Sequence, residues 1–292
     1  MHPAFSVIFL TTLIGAGQGL FLALYTEQVY STFNVVTYAV DGRFHGLGSF
    51  IALALTLGGL LASFFHLGRP ARAWRSWMMW RTSWLSREVI MLPAFMMFLF
   101  VYGVAHYIGW SPVLFTVGTV PVTFTLFIGL ITTGLAFLLY ICTGMIYATL
   151  KFLQEWHSPL TVINYTLLGM ASGFSLAAAF SGFYAAELVV FFAGWAIILT
   201  LAGLLTRIAS LVRNSKLKPK SDVQSAIGMR HPNVVQKDQG FQAGSFNTRE
   251  FFHHAKPAVF RAIKWFFLVA AFALPVVLLA IGMVAYFIKV GP

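Results

Sequence analysis

His66 and Glu88 bracket a short loop rich in arginine and tryptophan, set between two very apolar stretches. The run reads His66-Leu67-Gly68-Arg69-Pro70-Ala71-Arg72-Ala73-Trp74-Arg75-Ser76 and closes with Ser86-Arg87-Glu88. A neutral imidazole can hydrogen-bond a quinone carbonyl, and a carboxylate can pass protons to water. Two-electron oxidation or reduction of a quinone moves two protons, and imidazole–carboxylate chemistry suits that exchange. Ionisable groups at the ends of membrane helices are costly to keep, which is why they so often mark proton or ion traffic. The same placement also arises without chemistry. A cation at a helix C-terminus and an acid at an N-terminus complement the helix dipole. His66 could merely cap its helix while Glu88 pairs with Arg87 or Arg69.

The elements that hold these two residues are membrane helices. Of 292 residues, 59% are hydrophobic and only 9% are charged, against about 25% charged in a soluble chain. Residues 89 to 150 contain no Asp, Glu, Lys or Arg, and residues 152 to 206 contain only Glu155 and Glu187. A helix needs about 20 apolar residues to cross the hydrocarbon core, and no soluble core requires such runs. The pattern predicts an all-α, polytopic membrane helix bundle of seven transmembrane helices, at roughly 5–29, 44–66, 87–109, 120–150, 160–182, 185–212 and 260–288. Gly109-Trp110-Ser111-Pro112, Trp156-His157-Ser158-Pro159 and Ser181-Gly182-Phe183-Tyr184 supply turn punctuation. The N-terminus lacks a basic region and an Ala-x-Ala site, so it reads as a first membrane helix rather than a signal peptide.

Three parts follow: a six-helix bundle over 1–212, a basic loop over 213–257 and a last helix over 258–292. The loop is too long for an ordinary connector and reads as a docking element. Within it, Asn247-Thr248-Arg249-Glu250 could cap a short surface helix at Phe251 and Phe252. With seven crossings, seventeen of the nineteen basic residues fall on one side, leaving only Arg43 and Lys289 opposite. The positive-inside rule makes the basic side cytoplasmic. It places the N-terminus inside and His66 and Glu88 at the cytoplasmic boundary. Trp74, Trp77, Trp80 and Trp84 recur every three or four residues in the His66–Glu88 loop. That spacing fits an interfacial helix at headgroup depth, whose tryptophans either form an aromatic belt or line a site.

The other chemistry-bearing residues are sparser. The single cysteine, Cys142, lies inside a predicted span, which excludes a disulfide framework or a cysteine-ligated iron–sulfur cluster within the chain. A membrane haem needs two facing histidines. The histidines near spans all lie at helix ends: His45 and His106 on the outer side, His66 and His157 on the inner. Haem is not expected, although an outer His45–His106 pair stays open on sequence grounds. In Gly15-Ala16-Gly17-Gln18-Gly19, Gly15 and Gly19 form a small-xxx-small pair for close helix approach. Gln18 is then either packing glue or a quinone contact. Glu187 reads as an interfacial acid. No phosphate-binding loop, zinc site or nucleophile triad is present. The basic surface suits anionic lipid or an acidic protein partner better than nucleic acid.

The loop also carries a resemblance. His66-Leu67-Gly68-Arg69-Pro70-Ala71-Arg72-Ala73, then Ser76, then Leu85-Ser86-Arg87-Glu88, resembles the membrane anchor subunit of the dimethyl sulfoxide reductase family. Weaker hydropathy similarity extends to about residue 210. The 224–232 and 244–250 segments look like the branch found in cytoplasmic sulfite:quinone oxidoreductases. The resemblance implies a three-subunit complex with a molybdopterin catalytic subunit and an iron–sulfur subunit on the cytoplasmic side. The molybdenum cofactor and the clusters would be held in those partners only. It also implies quinol or quinone binding at His66 and Glu88. The family typically has eight helices, one more than the seven expected here.

These readings combine into an expectation. The chain is a quinone-reactive anchor that passes electrons from sulfite oxidation, through a partner's clusters, to ubiquinone or menaquinone. Its candidate quinone-binding residues are His66, Glu88, Gln18, Arg69, Arg72, Trp74 and Trp77. Of these, Arg69 and Arg72 would also anchor the iron–sulfur subunit. The alternatives are a terminal-reductase anchor running from menaquinol, a structural anchor without a quinone site, and a small-anion transporter. A transporter would place polar groups at mid-membrane.

Overall fold

Short hydroxyl and carboxylate side chains mark where the helices start. Asp41 accepts from the Arg43 N–H, Ser83 from Ser86, Thr123 from Leu126 and Ser158 from Leu160. Each satisfies a backbone donor that a helix N-terminus leaves open. The computed structural model describes residues 5–36, 40–218, 223–231, 233–234 and 257–290. The spanning helices of the bundle are α1 (Phe5–Thr32), α2 (Gly42–Phe64), α3 (Trp84–Tyr107), α4 (Phe124–Ala148), α5 (Pro159–Tyr184) and α6 (Val189–Ser215). A one-turn α7 (Val223–Ile227) follows, then α8 (Pro257–Leu268) continues through a π-turn, Val269–Ala273, into α9 (Leu274–Val290). Counting that last run as one, seven helical stretches among the described residues are long and apolar enough to cross a membrane.

The chain is thus a polytopic helical membrane bundle, as its uncharged runs predict. Three details differ from expectation. Residues 110–123 are more than a turn: β1 (Val113–Val117) and β2 (Val120–Thr123) form an antiparallel hairpin about Gly118, at φ +62°. β-branched residues dominate that stretch and favour strand over helix, so α4 starts at Phe124 rather than near 120. α3 begins at Trp84, earlier than expected, because Ser83 caps it. The tryptophan loop is a 3-10 helix, Pro70–Met79. The π-turn has a local cause in Pro275, which lacks an N–H and crowds the carbonyl four residues back. The expected cap at Asn247 and surface helix at Phe251 and Phe252 lie outside the described residues.

α1 is the central post and packs against α2, α4 and α5. Its contact with α5 is the tightest in the bundle. A Cβ placed on Gly173 would overlap the Gly19 carbonyl carbon, and one on Gly19 would overlap the Gly169 carbonyl. The small-xxx-small reading of Gly15 and Gly19 therefore describes a backbone-to-backbone contact. Tyr165 Oη of α5 donates across it to the Thr11 carbonyl at 3.1 Å, and Tyr140 Oη of α4 ties α4 to α1 at the Gly15 carbonyl, 2.7 Å away. The last helix is more peripheral, resting on α6 and α5.

Candidate functional site

Glu88 owes its position to Ser83. By starting α3 at Trp84, that cap puts Glu88 on the second turn, where it faces α4 rather than water. Its residue surface is 8% exposed, and Thr143 Oγ1 of α4 donates to Glu88 Oε1 at 2.5 Å. The neighbouring Arg87 does not pair with it. Arg87 Nε donates to the Trp80 carbonyl at 2.9 Å and Nη2 to the Arg81 carbonyl at 2.8 Å. Its guanidinium lies 4.1 Å from the Trp84 ring centroid. Among the described residues, the one ion pair is elsewhere. The simple pairing of Glu88 with Arg87 or Arg69 is therefore not what forms. Glu88 is a buried carboxylate held by a neutral hydroxyl, an arrangement suited to holding and releasing a proton.

Tyr147 and Tyr165 lie within electrostatic reach of Glu88, and the Tyr165 hydroxyl itself donates to the Thr11 carbonyl. Both tyrosines also line a cavity of about 380 Å³ at the basic end of the bundle, shared with Glu155, Asn164, Arg207 and Ser210. Its α5–α6 wall is latched. Asn164 Nδ2 donates to Ser210 Oγ at 2.8 Å, and Thr206 Oγ1 donates to Asn164 Oδ1 at 3.1 Å. Its rim is tied by Arg213, whose guanidinium donates to the carbonyls of Gln154 and His157. Tyr147 and Tyr165 are thus common to the lining of this cavity and to the electrostatic surroundings of Glu88.

The remaining sequence candidates are placed differently. His66 is exposed just past α2, and no hydrogen bond or ion pair among the described residues joins it to Glu88. Arg69, Arg72, Trp74 and Trp77 are also exposed, on a 3-10 helix with no buried residue. They form a surface rather than the lining of the chamber. Gln18 is fully buried at mid-depth, where its Nε2 donates to the Ala136 carbonyl of α4 at 2.8 Å and its Oε1 has no partner. It lies seven residues of α4 beyond Thr143, roughly 10 Å along the axis. The structure therefore brings Gln18 to the α1–α4 packing seam, apart from the His66–Glu88 loop.

At the opposite face the outer His45–His106 pair of the sequence lies in a polar cluster whose acid, Glu27, was not picked out there. Glu27, 1% exposed, meets His45 Nε2 through Oε2 at 2.6 Å. The His45 ring stacks on His106 with centroids 4.7 Å apart and planes 22° apart. Tyr102 Oη donates to Gln28 Oε1 at 2.8 Å, and Gln28 Nε2 donates to Thr125 Oγ1 at 2.8 Å. Stacked rings, one already engaged by a carboxylate, are not two axial ligands facing across a haem. An acid within a long apolar helix was the signal available. Replacing Glu27 with Ala would leave the buried His45 Nε2 unsatisfied. The expected result is a loss of roughly 1–3 kcal/mol, read as a lower melting temperature of the detergent-solubilised protein. An unchanged melting curve would show that the pair does not clamp α1 to α2.

Two comparisons with known proteins bear on this site. The family model described as "DMSO reductase anchor subunit (DmsC)" matches residues 1–290. The chain is also 55% identical, over 283 residues, to a sulfite dehydrogenase subunit of Allochromatium vinosum, covering 97% of this chain and 87% of that protein.

Proposed function

The chain belongs to the DMSO reductase anchor subunit family, and from that premise we propose that it is the quinone-reactive anchor of a cytoplasm-facing sulfite-oxidising complex. The observation that carries the proposal is the buried Glu88–Thr143 pair, set beside a polar chamber in a chain whose single cysteine cannot ligate a cluster. Electrons must then come from another subunit. A molybdenum centre in one partner would supply the oxidation of sulfite and water to sulfate, two protons and two electrons, and iron–sulfur clusters in a second partner would supply the route for those electrons to the anchor. There a quinone takes up two electrons and two protons and becomes quinol.

The roles of this chain's own residues follow from their surroundings. Glu88 holds a proton at a carboxylate oxygen and releases it towards the quinone, and Thr143 orients that carboxylate. Arg69, Arg72, Trp74 and Trp77 form the exposed face on which the iron–sulfur subunit docks. His66, beside that face, exchanges protons with the cytoplasm at the covered boundary. The basic face is cytoplasmic under the positive-inside rule, in a bacterial inner membrane. Protons are therefore taken up from the cytoplasm, and the chemistry carries no charge across the bilayer.

Isolating the complex through a tag on this chain tests the proposal. The expected preparation contains two further subunits, molybdenum and iron, and reduces a short-chain quinone when sulfite is added. An intact preparation free of molybdenum and iron, or one unable to reduce quinone, would sink it.

A further inference from the structure

The contact that Arg207 makes among the described residues is aromatic rather than ionic. Arg207 lies in α6, eight residues before the helix ends at Ser215, or roughly 12 Å below that end. A cation at such depth is expensive and ordinarily finds a carboxylate or a carbonyl. Arg207 finds neither among the described residues. Its Nε is buried without a hydrogen-bond partner, and its guanidinium lies 5.1 Å from the Phe267 ring centroid of α8. Glu155 lines the same chamber yet makes no ion pair with it. The Tyr147 hydroxyl, also in that lining, has no hydrogen bond among the described residues either. Its ring is held in place by an edge contact with Trp156 at 5.5 Å. Two donors therefore project from fixed positions with nothing to donate to.

We propose that this chamber, between α1, α4, α5 and α6, receives the quinone headgroup, with Arg207 and Tyr147 donating hydrogen bonds to its carbonyl oxygens. This rests on the reading of the chain as a quinone-reactive anchor. It moves the ring-binding site away from the His66 loop and into the bundle. The chamber volume of about 380 Å³ lies at the lower end of the roughly 300–1,000 Å³ of small-molecule sites, as suits a headgroup whose isoprenoid tail stays in lipid. The acceptors of a quinone are its two carbonyl oxygens, which match the unbonded donors of Arg207 and Tyr147, while Glu155, the carboxylate of the same lining, is exposed. The proton source is close. Tyr165 and Tyr147 line the chamber and feel the charge of Glu88, which Thr143 holds by a hydrogen bond. Two protons taken up from the cytoplasm and passed one at a time, with Glu88 reloaded between them, together with two electrons from the partner's cluster, convert the two carbonyls to hydroxyls and break no other bond. The rival occupant is the phosphate of an anionic lipid, which an arginine near the interface also attracts. A lipid phosphate needs the cation but not the connection to Glu88.

The test uses the purified complex and decylubiquinone, read in two ways: the KM for quinone in sulfite-driven turnover, and equilibrium binding followed by quenching of tryptophan fluorescence. Dye-linked sulfite oxidation on the same preparations controls for assembly. Arg207→Met is expected to weaken binding and raise KM by roughly ten- to a hundredfold, the loss of a hydrogen bond to a charged group. Arg207→Lys should recover part of that loss. If Arg207→Met fails to assemble, Tyr147→Phe carries the test with a smaller rise in KM. Unchanged binding and KM in Arg207→Met, alongside lost turnover in Glu88→Gln, would overturn the chamber while leaving the anchor function standing. Loss of co-purified anionic lipid with quinone binding intact would overturn it in favour of the lipid. Failure of the wild-type complex to reduce quinone at all would overturn the function and the chamber together.

Discussion

Glu88→Gln is expected to cut sulfite-driven quinone reduction by two to four orders of magnitude, the usual worth of a positioned proton donor, about 10²–10⁴. The substitution is chosen because it keeps nearly everything else. A glutamine carbonyl still accepts from Thr143, the volume is preserved, and the residue remains buried beside α4. Only the capacity to hold and release a proton is removed. Steady-state rates with sulfite and decylubiquinone, compared with dye-linked oxidation by the same preparation, make the measurement. Thr143→Val should cause a smaller fall, because it leaves the carboxylate in place without its orienting donor. A Glu88→Gln complex turning over quinone at the wild-type rate would remove Glu88 from the proton route. His66→Ala in the same assay separates the two ends of the loop. A loss matching that of Glu88→Gln puts His66 on the route as well, and full turnover confines His66 to the docking face.

The spans, their order and their turns are legible in the chain because hydrocarbon demands long uncharged runs. The rotation of each helix is not, and the site depends on rotation. In a soluble helix an apolar stripe marks the buried side, but a membrane helix is apolar all round. Nothing in the run from 89 to 150 says that Thr143 turns towards Glu88 while Thr133 does not. Likewise, the loop motif draws attention to His66 and Glu88 together, yet the fold buries one against α4 and leaves the other exposed. Glu27 and Arg207 are readable as charges inside long apolar helices. Their partners are not, since His45 and the chamber walls come from other helices. The hairpin at Val113–Thr123 is hidden for a different reason. The glycine, serine and proline of 109–112 just before it look like turn punctuation, and its β-branched residues sit in the same apolar background as the helices beside it.

The glycine seam between α1 and α5 decides whether any of this geometry exists. Gly173→Leu is expected to destabilise the bundle by at least about 3 kcal/mol, the upper end of ordinary overpacking. The reason is specific to what the added atoms would meet. A Cβ on Gly173 overlaps the backbone of Gly19, so no rotamer change in a neighbour can relieve it and the two helices must separate. Separation would strain the Tyr165–Thr11 bond between α5 and α1, and Tyr165 lines the chamber. The expected phenotype is therefore double: a melting temperature lower by several degrees in detergent, and reduced quinone turnover per assembled complex. Gly134 and Gly194 supply the contrast, because a Cβ at either meets nothing within 4 Å. Alanine there removes only a helix-interior glycine, which favours the helix by roughly 0.5–1 kcal/mol. If Gly173→Leu melted with the wild type, while Gly134→Ala and Gly194→Ala behaved as expected, α1 and α5 would not be in backbone contact. The position of Tyr165 in the chamber lining would then fall with it.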